Sequence, residues 1–190
     1  MTYYGAKELA DSFRTVRGNT IKIAEEIPED KYDFRVAPDC RSVAQTLVHI
    51  ATAPKLAQQI HFVERLTSLK GFDFFTFFRT AIQAEEEKPH TKAEILEMLK
   101  TGGEEYASQL EGCSEEFLGN SIEYPEGMTP PTKSRFEMLL GSKEHEMHHR
   151  GQLMVAQRMI GITPHLTRQM NERIQEMMAA ANAQAATAQQ

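Results

Sequence analysis

The chain has 190 residues, a length that favours one domain with its own hydrophobic core. Its 21 basic and 27 acidic residues give a net charge of −6, which argues against a nucleic-acid-binding surface. Mean hydropathy is −0.47, and no apolar run is long enough to suggest a membrane span. The segment Met1–Gly5 lacks the apolar core of a signal peptide, and two cysteines, Cys40 and Cys113, make no disulfide framework. We therefore expect a cytoplasmic protein.

Apolar residues recur at helical spacing in four long segments, near residues 5–27, 42–68, 91–110 and 134–160. Three of these segments begin with a capping-box pattern, at Ser42–Gln45, Thr91–Glu94 and Ser134–Glu137. Pro54 removes a backbone donor inside the second helix, so we expect a kink there. Residues 111–133 are rich in helix breakers and are expected to be irregular. The sequence predicts an all-α four-helix bundle.

The polar and aromatic clusters outside these helical faces have ordinary interpretations. The aromatic cluster Phe72–Phe78 is expected to be core or a dimer contact, with a substrate-pocket wall as the lesser alternative. The run Glu85–Glu87 is interpreted as a solvated face, and His61, His90 and His165 as surface residues. We place a helical bundle domain at residues 1–166 and an amphipathic helix with an Ala/Gln-rich tail at residues 167–190.

The fourth helix carries two histidines within its apolar stripe. His145 and His149 are one turn apart and about 40° apart around the helix axis, so both can bind one metal ion. His49 lies in the middle of the apolar second helix, where an imidazole needs a partner. A single buried histidine is more often structural, but a shared metal would satisfy all three rings at once. A bundle interior is a usual place for such a site.

The segment His145–His149 also matches the H-E-x-x-H pattern of zinc peptidases, in which Glu146 would be the general base. The extended form of that pattern needs Gly and His where this chain has Gln152 and Val155, so we keep a peptidase as the weaker alternative. His148 could also ligate from its position, although His149 is better placed on the stripe. Gln152 could orient a ligand or cap a backbone group. Arg150, off the stripe, could bind an anion or form a salt bridge.

Three segments of the sequence resemble the DinB-like family. His145–Gln152 resembles its H-x-x-x-H-R-G-Q signature, and Arg158–Pro164 resembles the family's ending of the same helix, with a Gly, a short loop and a Pro. Arg41–Ala51 resembles its second-helix motif, a Ser followed by a buried run ending in His. The resemblance covers about residues 5–166. It implies a DinB/YfiT-like bundle of up-down-down-up order, often a homodimer, that binds a divalent metal, mostly nickel or zinc. Carried over by motif, the metal ligands are His49, His145 and His149.

The resemblance also implies a function, because relatives include thiol transferases that use low-molecular-weight thiols. We expect a metal-dependent enzyme that acts on a small molecule by thiol transfer or hydrolysis, with no nucleic-acid or membrane partner. The ligand chemistry agrees, since three neutral histidines leave a coordination position open to water or a thiolate. A metal-binding bundle without catalysis, in which the ion joins helices two and four, is the main alternative. The sequence assigns no catalytic residue beyond the metal ligands.

Overall fold

The computed structural model describes residues 4–187, and side chains as far as residue 184. This part of the chain forms the helices α1 (Ala6–Glu26), α2 (Val43–Thr52), α3 (Pro54–Ala57), α4 (Phe74–Phe77), α5 (Ala84–Glu86), α6 (Lys92–Glu111), α7 (Glu115–Gly119), α8 (Arg135–Met159) and α9 (His165–Thr187). Two π-helical segments, Gln58–Val63 and Phe78–Gln83, continue α3 and α4. Strands β1 (Ser121–Glu123) and β2 (Thr132–Ser134) form one antiparallel pair. None of the described helices has the length and apolar character needed to cross a membrane.

Four long helical segments form the bundle, in which α1 and α2 each pack against both α6 and α8. Near the start of α1, the ring centroid of Tyr4 is 5.8 Å from that of Phe136 at the start of α8. At their other ends, Gln157 of α8 donates a 3.5 Å hydrogen bond to Glu26 of α1. The first and last helices of the bundle are therefore parallel.

The two middle helices of the bundle run in the opposite direction. Arg14 of α1 pairs with Glu104 of α6 at 2.7 Å. Lys92, at the start of α6, donates to the carbonyl of Glu25 near the end of α1, so the two helices are antiparallel. Arg17 donates to the carbonyl oxygens of both Ile50 and Leu99, so these two residues lie at the same height along the bundle axis. Gln58 then bonds Gln109 at 3.0 Å, so the second helix is parallel to α6. The order is up-down-down-up, and the predicted all-α bundle is confirmed.

The second helix of the bundle is broken near Pro54, as predicted, because proline supplies no backbone donor. It nevertheless ends before residue 68. Its last π-helical segment ends at Val63, and Arg65 adopts a left-handed conformation with φ of 52°. Residues 111–133 were expected to be irregular, but they contain α7 and the first β-strand. The short strands lie outside the bundle pattern and pair only with each other and with Ser68 in the described part of the chain.

The aromatic cluster Phe72–Phe78 was expected to be core or a dimer contact, and the first of these two alternatives is wrong for three of its rings. Phe75 is 73% exposed, and Phe74 and Phe78 are 37% and 38% exposed. The segment that contains these rings continues to Gln83 and packs on the outside of the bundle. Within residues 72–83, only Ile82 is buried. This position leaves Phe74 and Phe78 free to line a cavity, as shown below.

The last helix extends beyond the bundle. α9 begins at His165 and continues to Thr187, and it has an exposed apolar side formed by Met170, Ile174 and Met177. Residues 188–190 of the predicted tail lie outside the described residues. The division of the chain at residue 166 remains a prediction.

Candidate metal centre

Three histidines from two helices converge inside the bundle. His49 lies on α2, and His145 and His149 lie one turn apart on α8. The Nε2 atom of His145 is 3.1 Å from Nε2 of His49 and 3.2 Å from Nε2 of His149. Ligand atoms of the three rings all lie within 4.8 Å of one another. His49 and His149 are 5% and 8% exposed, so the cluster is largely shielded from solvent.

Both helices that carry the histidines begin with a capping box. The Ser42 hydroxyl accepts a 3.2 Å bond from the Gln45 backbone, and the Gln45 side chain accepts a 3.1 Å bond in return. At the start of α8, Ser134 and Glu137 form the same reciprocal pair. Each box satisfies backbone N–H groups that would otherwise be free at the helix end.

Two of the three rings have a defined tautomer, because their Nδ1 atoms face groups that can only accept a proton. Nδ1 of His49 is 2.7 Å from a carboxylate oxygen of Glu86. Nδ1 of His149 is 2.9 Å from the amide oxygen of Gln152, whose amide nitrogen faces Nε2 of His148 at 3.1 Å. Each Nδ1 therefore donates, and each Nε2 of His49 and His149 carries a lone pair.

These two lone pairs both point at Nε2 of His145. A neutral imidazole has one N–H, so His145 can donate to only one of its neighbours, and the other nitrogen stays without a proton. One cation between the rings would satisfy all three. Nitrogens bound tetrahedrally at about 2.0–2.1 Å from a zinc-like ion lie about 3.3–3.4 Å apart. Two of the three spacings, 3.1 and 3.2 Å, are close to this value, and all three lie within 4.8 Å, so the donor set could hold a divalent ion.

Burial favours the neutral form of the two rings on α8, and only this form binds metals. Burial lowers the pKa of His145 to about 4, and the neighbouring rings of His149 and His49 add to the effect. Burial also lowers the pKa of His149, although the hydrogen bond to Gln152 opposes it. Because only neutral imidazole can ligate a metal, these shifts favour the ligand state near neutral pH.

Glu86 was not predicted to belong to the site. The interpretation of Glu85–Glu87 as a solvated face is wrong at its middle position, where Glu86 is 7% exposed. Its second oxygen accepts a 2.6 Å bond from Arg41 Nε. Burial alone would raise the pKa of Glu86, but the bonds from His49 and Arg41 outweigh it and lower the pKa. A buried carboxylate thus orients the His49 ring and makes it a stronger ligand.

The remaining polar residues of the H-R-G-Q segment have distinct positions. Gln152 accepts a hydrogen bond from Nδ1 of His149, so its side chain orients this ring rather than capping the backbone. His148 is exposed and contacts Gln152, outside the cluster of the three converging rings. Arg150 is partly buried and forms no ion pair with any described residue, so the salt-bridge alternative is not observed there.

Glu146 points away from the histidine cluster into the bundle. Its carboxylate accepts 3.0 Å and 2.9 Å bonds from the guanidinium of Arg17, and the two side chains are 2% and 4% exposed. Gly103 of α6 makes room for this pair, because a Cβ there would lie 2.8 Å from Arg17 Cγ. A carboxylate held in this way is not placed to act as the general base of a peptidase.

Two cavities border the histidine cluster. The larger, of about 640 Å³, is lined by His149, Gln152 and polar groups that include Arg41, Cys40 and Gln45. The second, of about 330 Å³, is lined by His49, His145 and mostly apolar side chains. Phe78 lines both cavities. Small molecules have space on both sides of the site.

Two histidines expected at the surface are buried. His61 is 1% exposed and faces Arg135 Nη1 at 3.0 Å. His165 is 4% exposed and faces Asn19 at 3.1 Å. His90 lies closer to the surface, with a side chain 13% exposed, and contacts Glu85. Each of the two buried rings contacts a residue that is distant in the sequence, so helical periodicity could not predict that it is buried.

The fold and this site define a class: a helical bundle with an internal cluster of three histidines that could hold a metal ion. The chain belongs to the DinB family, whose sequence profile matches residues 1–179. It is 27% identical over 158 residues to the uncharacterized protein YjoA of Bacillus subtilis (strain 168), covering 83% of this chain and 92% of YjoA. The crystal structure of that DinB-like protein has a TM-score of 0.59 and 24% identity, over 82% of this chain and 94% of the other, and supports the fold.

Proposed function

We propose that this chain is a metal-dependent enzyme that acts on a small molecule by thiol transfer or hydrolysis. One divalent ion, nickel or zinc, is held by His49, His145 and His149. The observation that carries the proposal is the convergence of two Nε2 lone pairs on a third ring, fixed by Glu86 and Gln152. Burying such an arrangement with no cation between the rings would be unfavourable.

The residues around the site have different roles in the proposed reaction. Glu86 and Gln152 orient the ligand rings, and α2 and α8 hold them at a constant separation. A divalent ion in this site lowers the pKa of a water or thiol that binds it, which supplies a nucleophile near neutral pH. The cavity beside His149 carries the guanidinium of Arg41, whose side chain is 38% exposed and which favours a polar or anionic part of a substrate.

The proposal includes a low-molecular-weight thiol as a candidate co-substrate and a homodimer in the cytoplasm. The net charge of −6 speaks against a nucleic-acid partner. DinB-family membership supports a metal site of this kind, and the chemistry of the donor set supports a soft or borderline ion.

A metal-binding bundle without catalysis is the second candidate, because an ion bound by α2 and α8 would also stabilise the fold. The two cavities favour an enzyme, since a purely structural ion needs no space beside it. The peptidase alternative has less support, because the carboxylate of Glu146 is bound by Arg17.

The metal site is tested by loading the metal-free protein with zinc or nickel and measuring the metal content by mass spectrometry. We expect one ion per wild-type chain and a loss of most of it in His49→Ala, which removes the ligand from α2. His148→Ala is the matched control, because it removes an exposed imidazole one residue from His149. A full metal content in His49→Ala would refute the site, as would loss of metal in a folded His148→Ala variant.

The catalytic part of the proposal is tested on protein loaded with cobalt(II), by titration with 2-mercaptoethanol. A new thiolate-to-cobalt charge-transfer band is expected, because an enzyme needs an exchangeable coordination position. An unchanged spectrum in fully loaded protein would mean that the position is filled or closed, and the structural role would replace the enzyme.

A further inference from the structure

The second cavity has a mostly apolar wall that also contains three histidines, Tyr124 and Ser142. The Ser142 hydroxyl is bonded to that of Tyr106 at 2.8 Å. Its lining residues come from four parts of the chain, with Ala53, Leu56, Ile60, Leu69, Phe74 and Met138 among the apolar ones. His49 and His145 lie at one side of the cavity, and His61 lies in the same lining. A molecule in this space would therefore touch the metal centre and His61 together.

The tautomer of His61 is fixed by its neighbour. Its Nδ1 atom lies 3.0 Å from Nη1 of Arg135. Arginine can only donate, so Nδ1 of His61 accepts and the proton is on Nε2. Nε2 has no hydrogen-bond partner among the described residues, although the side chain is 1% exposed. The cavity is thus lined by a residue whose Nε2–H donates to no described residue.

Arg135 is an unusual partner for a histidine. It is 1% exposed, its Nη2 bonds the carbonyl of Leu66 at 3.0 Å, and it lies 4.3 Å over the ring of Phe117. No carboxylate among the described residues pairs with it. Burial and then the charge of Arg135 lower the pKa of His61 to about 4, so the ring stays neutral. The pair therefore supplies one neutral donor with a fixed direction of donation.

The backbone around this cavity is also unusual. Both π-helical segments of the described chain contribute to its wall, the first through Ile60 and His61 and the second through Phe78 and Ile82. A π-helical turn changes the direction of the side chains that follow it, and such turns are frequent at functional sites. Here they place a polar ring and an aromatic ring around the same space.

We propose that the cavity is a subsite for an apolar group that carries one acceptor oxygen, such as the carbonyl of a ketone, ester or amide, and that His61 Nε2 donates to this oxygen. The inference rests on the proposed function, because it places this carbonyl-bearing part of the substrate beside the metal centre. His61 is a binding and positioning residue in this arrangement. A purely apolar molecule would leave the donor buried without a partner, so it should bind less tightly.

The test uses two probes of nearly equal shape, acetophenone and ethylbenzene, of which only the first has an acceptor oxygen. Their affinities are measured by NMR titration with the metal-free and the zinc-loaded protein. We expect acetophenone to bind about tenfold more tightly than ethylbenzene to both forms. Nitrogen-15 spectra should show the proton of His61 on Nε2, with a shift when acetophenone is added.

Two variants locate the binding. His61→Asn keeps an acceptor for Arg135 near the position of Nδ1 but removes Nε2, so the two probes should bind equally. Gly141→Leu should abolish binding of both, because Gly141 lines the cavity and a Cβ there meets no atom within 4 Å. Gly151→Leu is the matched control, an exposed glycine of the same helix with the same free space.

Equal affinity of the two probes for the wild type, absence of binding by either, or a proton on Nδ1 of His61 would overturn the inference. If His61→Asn does not fold, the spectra and the Gly141→Leu pair decide alone. Failure of the proposed function has a different signature. In that case His49→Ala would keep its metal, or cobalt would show no open position, while the probes could still discriminate in the metal-free protein.

Discussion

Glu86 and His49 are joined by a hydrogen bond of 2.7 Å that connects α5 to α2 across the edge of the bundle. The carboxylate is itself fixed, because its other oxygen accepts a bond from Arg41 at 2.6 Å. The His49 ring is therefore held with Nε2 directed at His145. The orientation of this candidate metal ligand thus depends on a residue outside the three-histidine cluster.

Replacing Glu86 by Ala should weaken zinc binding about ten- to hundredfold without unfolding the protein. The ring of His49 would lose both its orienting partner and the negative charge that increases its basicity. Glu86→Gln should fall between this variant and the wild type, because it keeps an acceptor but no charge. Affinity is measured by competition with a chromophoric chelator.

Glu87→Ala is the control for this experiment, because Glu87 is the exposed neighbour of Glu86 and contacts Gln83. Its zinc affinity should equal that of the wild type. An unchanged affinity in Glu86→Ala would show that the bond to His49 plays no part in metal binding.

The sequence was sufficient to predict the bundle, because its helices depend on local patterns, and the resemblance to a family motif on two helices pointed to the three converging histidines. The boxes at Ser42 and Ser134 begin their helices as predicted, and the spacing of His145 and His149 puts them on one face. The positions of Glu86 and His61 could not be predicted. A charge run and a lone histidine look solvated until residues such as Arg41 and Arg135 cover them.

The same limit applies to Arg17 and Glu146. Periodicity places both residues on inward faces of their helices. It cannot predict that the charges from α1 and α8 form a pair inside the bundle. The signal that could have found them is the presence of single charged residues within otherwise apolar stripes, since buried charges are paired.

The exposed apolar side of α9 predicts self-association. Met170, Ile174 and Met177 are 56%, 46% and 72% exposed and lie at helical spacing. A second copy packed on this stripe would bury it. We expect a dimer for the wild type and a monomer for Ile174→Glu, measured by light scattering at micromolar concentration. Gln175→Glu, which adds the same charge off the stripe, should stay dimeric, and a monomeric wild type would contradict the prediction.

The stability of the metal-free protein should fall as the pH is lowered from 6.5 towards 4. Burial lowers the pKa values of His61 and His145 from 6.5 to about 4. In this range the unfolded chain takes up protons at both rings while the folded chain does not, so unfolding becomes easier. Each such proton contributes a slope of about 1.4 kcal/mol per pH unit.

The contribution of His61 to this slope can be separated by a variant. The free energy of unfolding of His61→Asn is measured by urea unfolding with a chelator present. It should fall less per pH unit than that of the wild type, by an amount that corresponds to about one proton at most. Parallel curves for wild type and variant would mean that the His61 ring is not buried in its neutral form.

Removing the charge of Glu146 should be far more harmful than its distance from the metal ligands suggests. Glu146→Gln would leave the guanidinium of Arg17 buried without a countercharge, and we expect a loss of about 3–5 kcal/mol in the free energy of unfolding. Glu144→Gln, an exposed change on the same helix, should alter stability by less than about 0.5 kcal/mol.

The double variant Arg17→Met with Glu146→Leu should recover much of this loss. It replaces the buried pair by apolar groups and leaves no charge buried without a partner. Folded Glu146→Gln protein should still bind one zinc ion, since its carboxylate serves Arg17 and not the three histidines. Loss of zinc from folded Glu146→Gln, with stability close to that of the wild type, would contradict this assignment. Glu146 would then belong to the metal centre, and the peptidase alternative would regain its general base.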